Sequence, residues 1–250
     1  MSFPADSSLV DAVRPSPNHG ERVGGPPDAL VLHYTGMSRC DDAIDRLCDP
    51  AAEVSAHYVV EESGRIWQLA PESRRAWHAG RSRWGQDSDL NSRSIGVEIC
   101  NPGRDGGLPP YPRRQIDRVV ALVSDILARR DICPTRVLAH SDIAPDRKDD
   151  PGERFPWTRL ARAGLCLWAR PEPIRRSGPL NPAQDAEFRQ TLAALGYAAP
   201  ESADWDDAGR LVLIAFQRRH RRARVDGAPD LSSFLTARRL LRAQRSLRGA

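Results

Sequence analysis

His140-Ser141-Asp142-Ile143-Ala144-Pro145-Asp146-Arg147-Lys148-Asp149-Asp150-Pro151-Gly152 is the stretch around which the rest of the chain is arranged. It sets a histidine, a lysine and several aspartates close together, and Pro145, Pro151 and Gly152 break any helix or interior strand across it. A segment so charged is costly to bury unpaired, so it is expected as a loop at the surface or in the wall of a cleft. Just before it, Val137-Leu138-Ala139 reads as a short buried strand delivering His140 at its end. An imidazole and a carboxylate are both ligands of catalytic zinc, which takes three protein ligands and keeps one position open. The third ligand and a base must come from elsewhere in the chain.

Upstream, Ala29-Leu30-Val31-Leu32 reads as a buried strand with His33-Tyr34-Thr35-Gly36 at its C-terminal end. Ser38 is the expected N-cap of a short helix with Asp41 and Asp42 in its first turn. Residues 56–60 and 65–69 flank Glu61-Glu62-Ser63-Gly64 as a hairpin, and residues 94–100 form a further strand. Pro112 opens the clearest amphipathic helix, with Ile116, Val119, Val120, Val123, Ile126 and Leu127 at helical spacing. Residues 157–167 are expected as a closing helix. Strands and helices mixed in this way imply an α/β fold, a mixed central sheet flanked by helices. Residues 1–28, rich in proline, are expected as an extended arm and belong with a catalytic domain spanning 1–170. A stiff proline-rich linker is expected over 171–181. Beyond it, 182–250 reads as a small all-α domain with helices near 183–195, 208–220 and 232–241.

Composition bounds the function. The length of 250 residues allows a sizeable core, and the formal net charge of +4, with abundant arginine, leans toward an anionic partner. Five cysteines without Cys-x-x-Cys spacing are expected as reduced, mostly buried thiols and not as a disulfide frame. No apolar run approaches the roughly 18 residues of a membrane span, which argues against a membrane partner. Residues 1–20 lack the apolar core of a secretory signal, so the cytoplasm is expected; the sequence leaves the oligomeric state open, with a monomer preferred. The run Arg218, Arg219, His220, Arg221, Arg222 and Arg224 invites a nucleic-acid reading. It lacks an aromatic stacking platform, and a solvated face or an anionic carbohydrate-peptide partner is the preferred expectation.

Catalytic residue types recur at strand ends: His33 ends one strand, His140 another, and Glu98 interrupts the apolar Ser94-Ile95-Gly96-Val97-Glu98-Ile99-Cys100. A carboxylate there is expensive unless paired or functional. Together with Ser55-Ala56-His57-Tyr58, Ala76-Trp77-His78-Ala79-Gly80 and residues 91–98, these segments resemble the zinc-dependent N-acetylmuramoyl-L-alanine amidases of type 2, relatives of the peptidoglycan recognition proteins. The resemblance covers roughly residues 29–157 and runs closest to the amidases acting on anhydro-muropeptides. It implies zinc as cofactor, held by His33, His140 and Asp150, with Glu98 as general base and Lys148 stabilising the transition state. Residue chemistry alone leaves Asp149 and Asp150 as competing ligands; the family pattern of lysine, one residue, aspartate and Pro-Gly selects Asp150. Substrate contacts are expected at Tyr34, Trp77, His78 and Arg93, whereas His57 is expected in the core or behind the ligands. Phe188, Leu192, Leu195-Gly196-Tyr197, Ala215-Phe216-Gln217 and Val225-Asp226-Gly227 resemble a three-helix peptidoglycan-binding domain. The implied partner is a muropeptide or peptidoglycan fragment, and the rival reading is a recognition module that binds muropeptide without cutting it.

Overall fold

In the computed structural model, which describes residues 3–202 and 204–248, the apolar segments pair into a six-stranded sheet. In chain order the strands are β1 (Ala12–Val13), β2 (His19–Glu21), β3 (Ala29–Tyr34), β4 (Tyr58–Val60), β5 (Ile66–Gln68), β6 (Arg74–Ala76), β7 (Ser94–Ile99) and β8 (Val137–Ala139). The helices are α1 (Cys40–Cys48), α2 (Leu90–Arg93), α3 (Arg113–Arg130), α4 (His140–Ile143), α5 (Trp157–Arg162), α6 (Pro182–Leu195), α7 (Asp207–His220) and α8 (Leu231–Arg248). The sheet order is β1-β5-β4-β7-β3-β8, antiparallel only between β4 and β5; β2 and β6 form a separate ribbon.

Side chains alternate along a strand, and each face of this sheet finds its own cover. Leu30, Leu32, Val97 and Ile99 point to the face packed by α3 through Ile116, Val119, Val123 and Ile126. Val31 and Leu138 point the other way, into a cluster completed by Phe188, Leu192, Phe216 and Phe234 of α6, α7 and α8. On that same second face Val59 meets Ile44 and Leu47 of α1. The second face is therefore covered at one end by α1 and at the other by the C-terminal helices.

Several expectations change. Residues 12–13 and 19–21 of the N-terminal arm pair as edge strands. The first helix begins at Cys40 after Arg39, which makes no side-chain cap bond, and not from Ser38. The first four residues of the 140–152 stretch, ahead of Pro145, wind into α4. The proline-rich segment 171–181 runs pinned to α8: the Glu172 N–H donates to Thr236 Oγ1 at 2.9 Å and Ser232 Oγ donates to the Glu172 carbonyl at 2.8 Å. Cys40 and Cys100 are joined by a disulfide with Cα atoms 5.4 Å apart, which corrects the expectation of reduced thiols for these two, whereas Cys48, Cys133 and Cys166 are free. Sixty positions separate them in sequence, and only the packing of α1 beside the end of β7 brings them together. Residues 1–2 of the expected arm and residues 203 and 249–250 of the expected helical domain lie outside the described residues.

Glu72 ties the arm, the sheet and α3. Its side chain is fully buried, takes a bidentate contact from Arg129 at 2.8 Å and the Tyr58 hydroxyl at 2.6 Å, and is also met by Arg130. Burial alone would raise its pKa; the hydrogen bonds from Arg129, Tyr58 and Arg130 outweigh it and hold the carboxyl at about 2, below its ordinary 4.5. A depressed folded pKa means stability that is complete above the ordinary value and is lost as pH falls toward 2, on the order of 3 kcal/mol. The difference in urea stability between the parent and Glu72→Gln is expected to be large at pH 6 and to shrink steadily on acidification. A difference that stays constant with pH would sink this account.

Candidate active site

Strand register builds the centre. Parallel pairing sets His33 of β3 beside Glu98 of β7, and Val31 beside Leu138 of β8. Because β8 ends at Ala139 and the chain turns at once into α4, His140 lands next to His33. Asp142 makes this turn possible: its Oδ2 accepts the Ala139 N–H at 2.9 Å. Asp150 then folds back onto the turn, its carbonyl accepting the Ser141 N–H at 3.0 Å.

Three donors converge. His33 Nδ1 and His140 Nδ1 lie 2.8 Å apart, and each is 3.0 Å from Asp150 Oδ2. All three residues are buried. Burial, and next the neighbouring His140, lower the His33 pKa to about 4. Asp150 stays well below the carboxylate range: burial opposes this, but the neighbouring His140 and His33 rings prevail. Neutral imidazole beside ionised carboxylate is the protonation state that metal binding requires. Lone pairs crowded this closely repel unless a cation sits among them, so the donor set fits a metal ion.

A second layer aims the rings. The His140 Nε2–H donates to the Ala79 carbonyl at 3.2 Å, leaving Nδ1 free as a ligand. His33 Nε2 meets His78 Nδ1 at 3.1 Å, His78 Nε2 meets Ser94 Oγ at 3.4 Å, and Ser94 Oγ donates to the Leu90 carbonyl. With His33 Nδ1 turned to the centre, protons in this chain run outward from His33 to His78 to Ser94. Asn91 Oδ1 accepts the N–H groups of His78 and Ala79 at 3.0 and 2.6 Å, which fixes that loop. The His78 ring rests on Gly96, where a Cβ would come within 2.4 Å of it. His57 lies behind, its Nδ1 accepting the Gly96 N–H at 2.9 Å.

The centre opens into a cleft of about 340 Å³ whose walls include Tyr34, Trp77, His78, Glu98, Lys148 and Asp150. Glu98 Oε2 is buried and has no hydrogen-bond partner among the described residues. Burial, reinforced by Asp150 and opposed by Lys148, raises the Glu98 pKa well above its ordinary value. Asp149 turns away from the histidines and accepts from the Tyr34 hydroxyl and from Arg104 Nε at 2.5 Å. Geometry thus separates the two aspartates that residue chemistry could not.

Among the expected substrate contacts, Tyr34 and Trp77 line the cleft, and His78 reaches it at the edge while its ring nitrogens face His33 and Ser94. Arg93 stands apart from the cleft walls: its guanidinium pairs with Asp28, and Asp87 lies 3.9 Å away. Sequence reasoning missed Asn91, Ser94 and Arg147, whose guanidinium also reaches the Ala79 carbonyl. It passed over two available signals. A glycine inside an apolar strand marks close approach, as Gly96 does. Lys148 is the single lysine among 37 basic Lys and Arg residues.

The family model described as N-acetylmuramoyl-L-alanine amidase matches residues 23–153, more than half the chain. The chain belongs to this amidase family. N-acetylmuramoyl-L-alanine amidase AmiD of Escherichia coli K12 is 37% identical over 229 residues, 85% of this chain and 81% of that protein. The 1,6-anhydro-N-acetylmuramyl-L-alanine amidase AmpD of the same organism is 37% identical over 171 residues, 61% of this chain and 91% of AmpD. A solved structure of AmiD with anhydro-N-acetylmuramic acid-L-Ala-D-gamma-Glu-L-Lys superposes with a TM-score of 0.75 at 35% identity, covering 89% of this chain and 92% of that one. AmpDh3 of Pseudomonas aeruginosa, in complex with anhydromuramic pentapeptide, gives 0.72 at 32% identity, with 97% of both chains covered. The chain is thus an amidase, a hydrolase acting on the amide between N-acetylmuramic acid and L-alanine.

The seating of His78 on Gly96 yields a test. Gly96→Ala must push the ring off His33 and is expected to cost about 1–3 kcal/mol of stability, measured by urea unfolding, with loss of amidase activity. Gly20→Ala, where nothing lies within 4 Å of the added carbon, is the control and should match the parent. Full activity in Gly96→Ala would show that the His78 contact is dispensable.

Proposed function

We propose that this chain is a zinc hydrolase cleaving the amide between N-acetylmuramic or 1,6-anhydro-N-acetylmuramic acid and the L-alanine of muropeptides, in peptidoglycan recycling or turnover. The convergence of His33, His140 and Asp150 beside an unpartnered Glu98 carries the reading. Its substrate rests on AmiD and AmpDh3, both solved with anhydromuramic peptides. When bound by these three residues, zinc supplies Lewis acidity and lowers the pKa of a water to about 7.

The chain's own groups handle the protons and the charge. Glu98 takes the proton that the water loses as its oxygen attacks the amide carbonyl, and returns it to the alanine nitrogen as the C–N bond breaks. Burial raises the Glu98 pKa, which makes its carboxylate a stronger proton acceptor for the first of these steps. The Lys148 ammonium offsets the negative charge that develops on the carbonyl oxygen. An ammonium is a compact charge with rotatable donors, whereas guanidinium is a planar fork. A chain that uses arginine at every other cationic Lys or Arg position and lysine here supports a need for the compact group. The helical segment carries the second part of the reading, a peptidoglycan-binding-like module; the match to AmpDh3, which extends over 97% of this chain, supports it.

The compartment is part of the reading. Among the described residues no helix is long and apolar enough to cross a membrane. Disulfides persist where the surroundings are oxidising, so the Cys40–Cys100 bond moves the reading from the expected cytoplasm toward an extracytoplasmic site. Non-reducing peptide mapping of protein from its own host is expected to find these two cysteines linked; free thiols would restore the cytoplasm.

The activity test uses anhydromuramyl tripeptide and mass detection of the released peptide. Zinc-loaded protein is expected to release it, chelation to stop it and zinc to restore it. Glu98→Gln should lower kcat by about 10²–10⁴-fold while retaining metal, and Lys148→Arg should fail to restore the parent rate. Absence of stoichiometric zinc, or a fully active Glu98→Gln, would overturn the reading and favour a binding-only module.

A further inference from the structure

The arginine run at residues 218–224 has a use that its sequence does not suggest. Arg221 is buried and pairs with Asp230 at 2.9 Å, and Arg224 joins the same carboxylate at 2.6 Å. Arg219 points the opposite way, out of α7 and into the sheet domain. Its side chain is 4% exposed, its Nη2 donates to the Val137 carbonyl at 2.8 Å, and its Nη1 pairs with Asp142, whose side chain is fully buried. The guanidinium also lies 4.1 Å over the Trp157 ring. From the segment after α6, the Tyr197 hydroxyl donates to Asp142 Oδ1 at 2.8 Å. Tyr197 is itself wedged against Trp84, with ring centroids 4.9 Å apart, and Gly196 lies so close that a Cβ there would come within 2.4 Å of the same indole.

Asp142 is two residues from His140, and its other oxygen partner is the Ala139 N–H that closes the α4 turn. Val137, the second anchor of Arg219, lies three residues before His140 in the strand that delivers it. The segment from 137 to 142 is thus gripped on both sides of the histidine by two residues of the C-terminal helical segment. Tyr197 and Arg219 touch neither the converging donors nor the cleft wall.

We infer that Arg219 and Tyr197 are positioning residues for the metal centre: through Asp142 they hold the 137–142 segment so that His140 faces His33 and Asp150. The C-terminal helices then serve as a buttress of the catalytic centre as well as a peptidoglycan-binding-like module. This rests on the zinc assignment above. Groups bonded directly to a metal ligand change metal affinity when removed, typically about 10–100-fold. Arg219 and Tyr197 act further out, through Asp142 and the backbone of residues 137–139, so losses toward the low end of that range are expected.

The experiment measures zinc affinity by chelator competition and thermal stability of the metal-free protein, using the full chain. Tyr197→Phe, which removes one hydroxyl and keeps the ring packing, is expected to weaken zinc binding about 10-fold, and Arg219→Lys by more. Arg221→Lys, which disturbs a buried pair in the same helices away from Asp142, should lower the melting temperature and leave zinc affinity unchanged. If Tyr197→Phe and Arg219→Lys bind zinc like the parent, whatever their stability, the coupling is wrong. Equal weakening in Arg221→Lys would also overturn it, since general destabilisation would then explain the loss. A parent that binds no zinc overturns the metal assignment and the coupling with it.

Discussion

The parallel register of β3 with β7 on one side and β8 on the other is the constraint on which the molecule depends. It aligns His33 with Glu98 and, through the end of β8, brings His140 to the same face. Side chains alternate with a period of two, so a slip of one residue would send His33 or Glu98 into the apolar layer beneath α3. Leu30, Leu32, Val97 and Ile99, packed against that helix, oppose such a slip. The apolar face therefore sets the geometry of the polar one, and catalysis draws on the hydrophobic effect for its alignment.

Much of this was legible in the chain. Strands β3, β7 and β8 are mainly apolar runs, broken by His33 and Glu98 where the site is built, and α3 is a strong amphipathic pattern, so local chemistry and final environment agree. The residue types of the converging His33–His140–Asp150 group were legible at strand ends and in the following loop, although preferring Asp150 to Asp149 needed the family pattern. Arg104 and the Tyr34 hydroxyl make that choice in the fold, by claiming Asp149. What escaped were facts about partners distant in sequence. Cys40 and Cys100 carry no local mark of pairing. The arginines at 219 and 221 look like a solvated run because clustering in sequence says nothing about which way each side chain points. Here one enters the sheet domain to meet Asp142, 77 residues away, and another turns into its own helices to meet Asp230. The ion pair of Arg93 with Asp28 was hidden for the same reason, since 65 positions separate the two.

The C-terminal helices also change meaning when their packing is seen. Phe188, Leu192, Phe216 and Phe234 share one apolar cluster with Val31 and Leu138 of the sheet and with Ile143 of α4. Breaking a buried ion pair by removing one partner is strongly destabilising because the remaining charge is stranded. The Asp142–Arg219 pair thus commits the two parts of the chain to each other, and the apolar cluster excludes the water that would screen it.

Lys148 has a practical side. It is exposed, it stands in the wall of the cleft, and it is the single lysine of the sequence. Apart from any terminal α-amine, the protein therefore offers one primary amine to solution, and that amine stands in the wall of the cleft. Reagents that decorate most proteins indiscriminately, such as activated esters, become site-directed probes here: occupancy of the cleft can be followed by protection of a single acylation event.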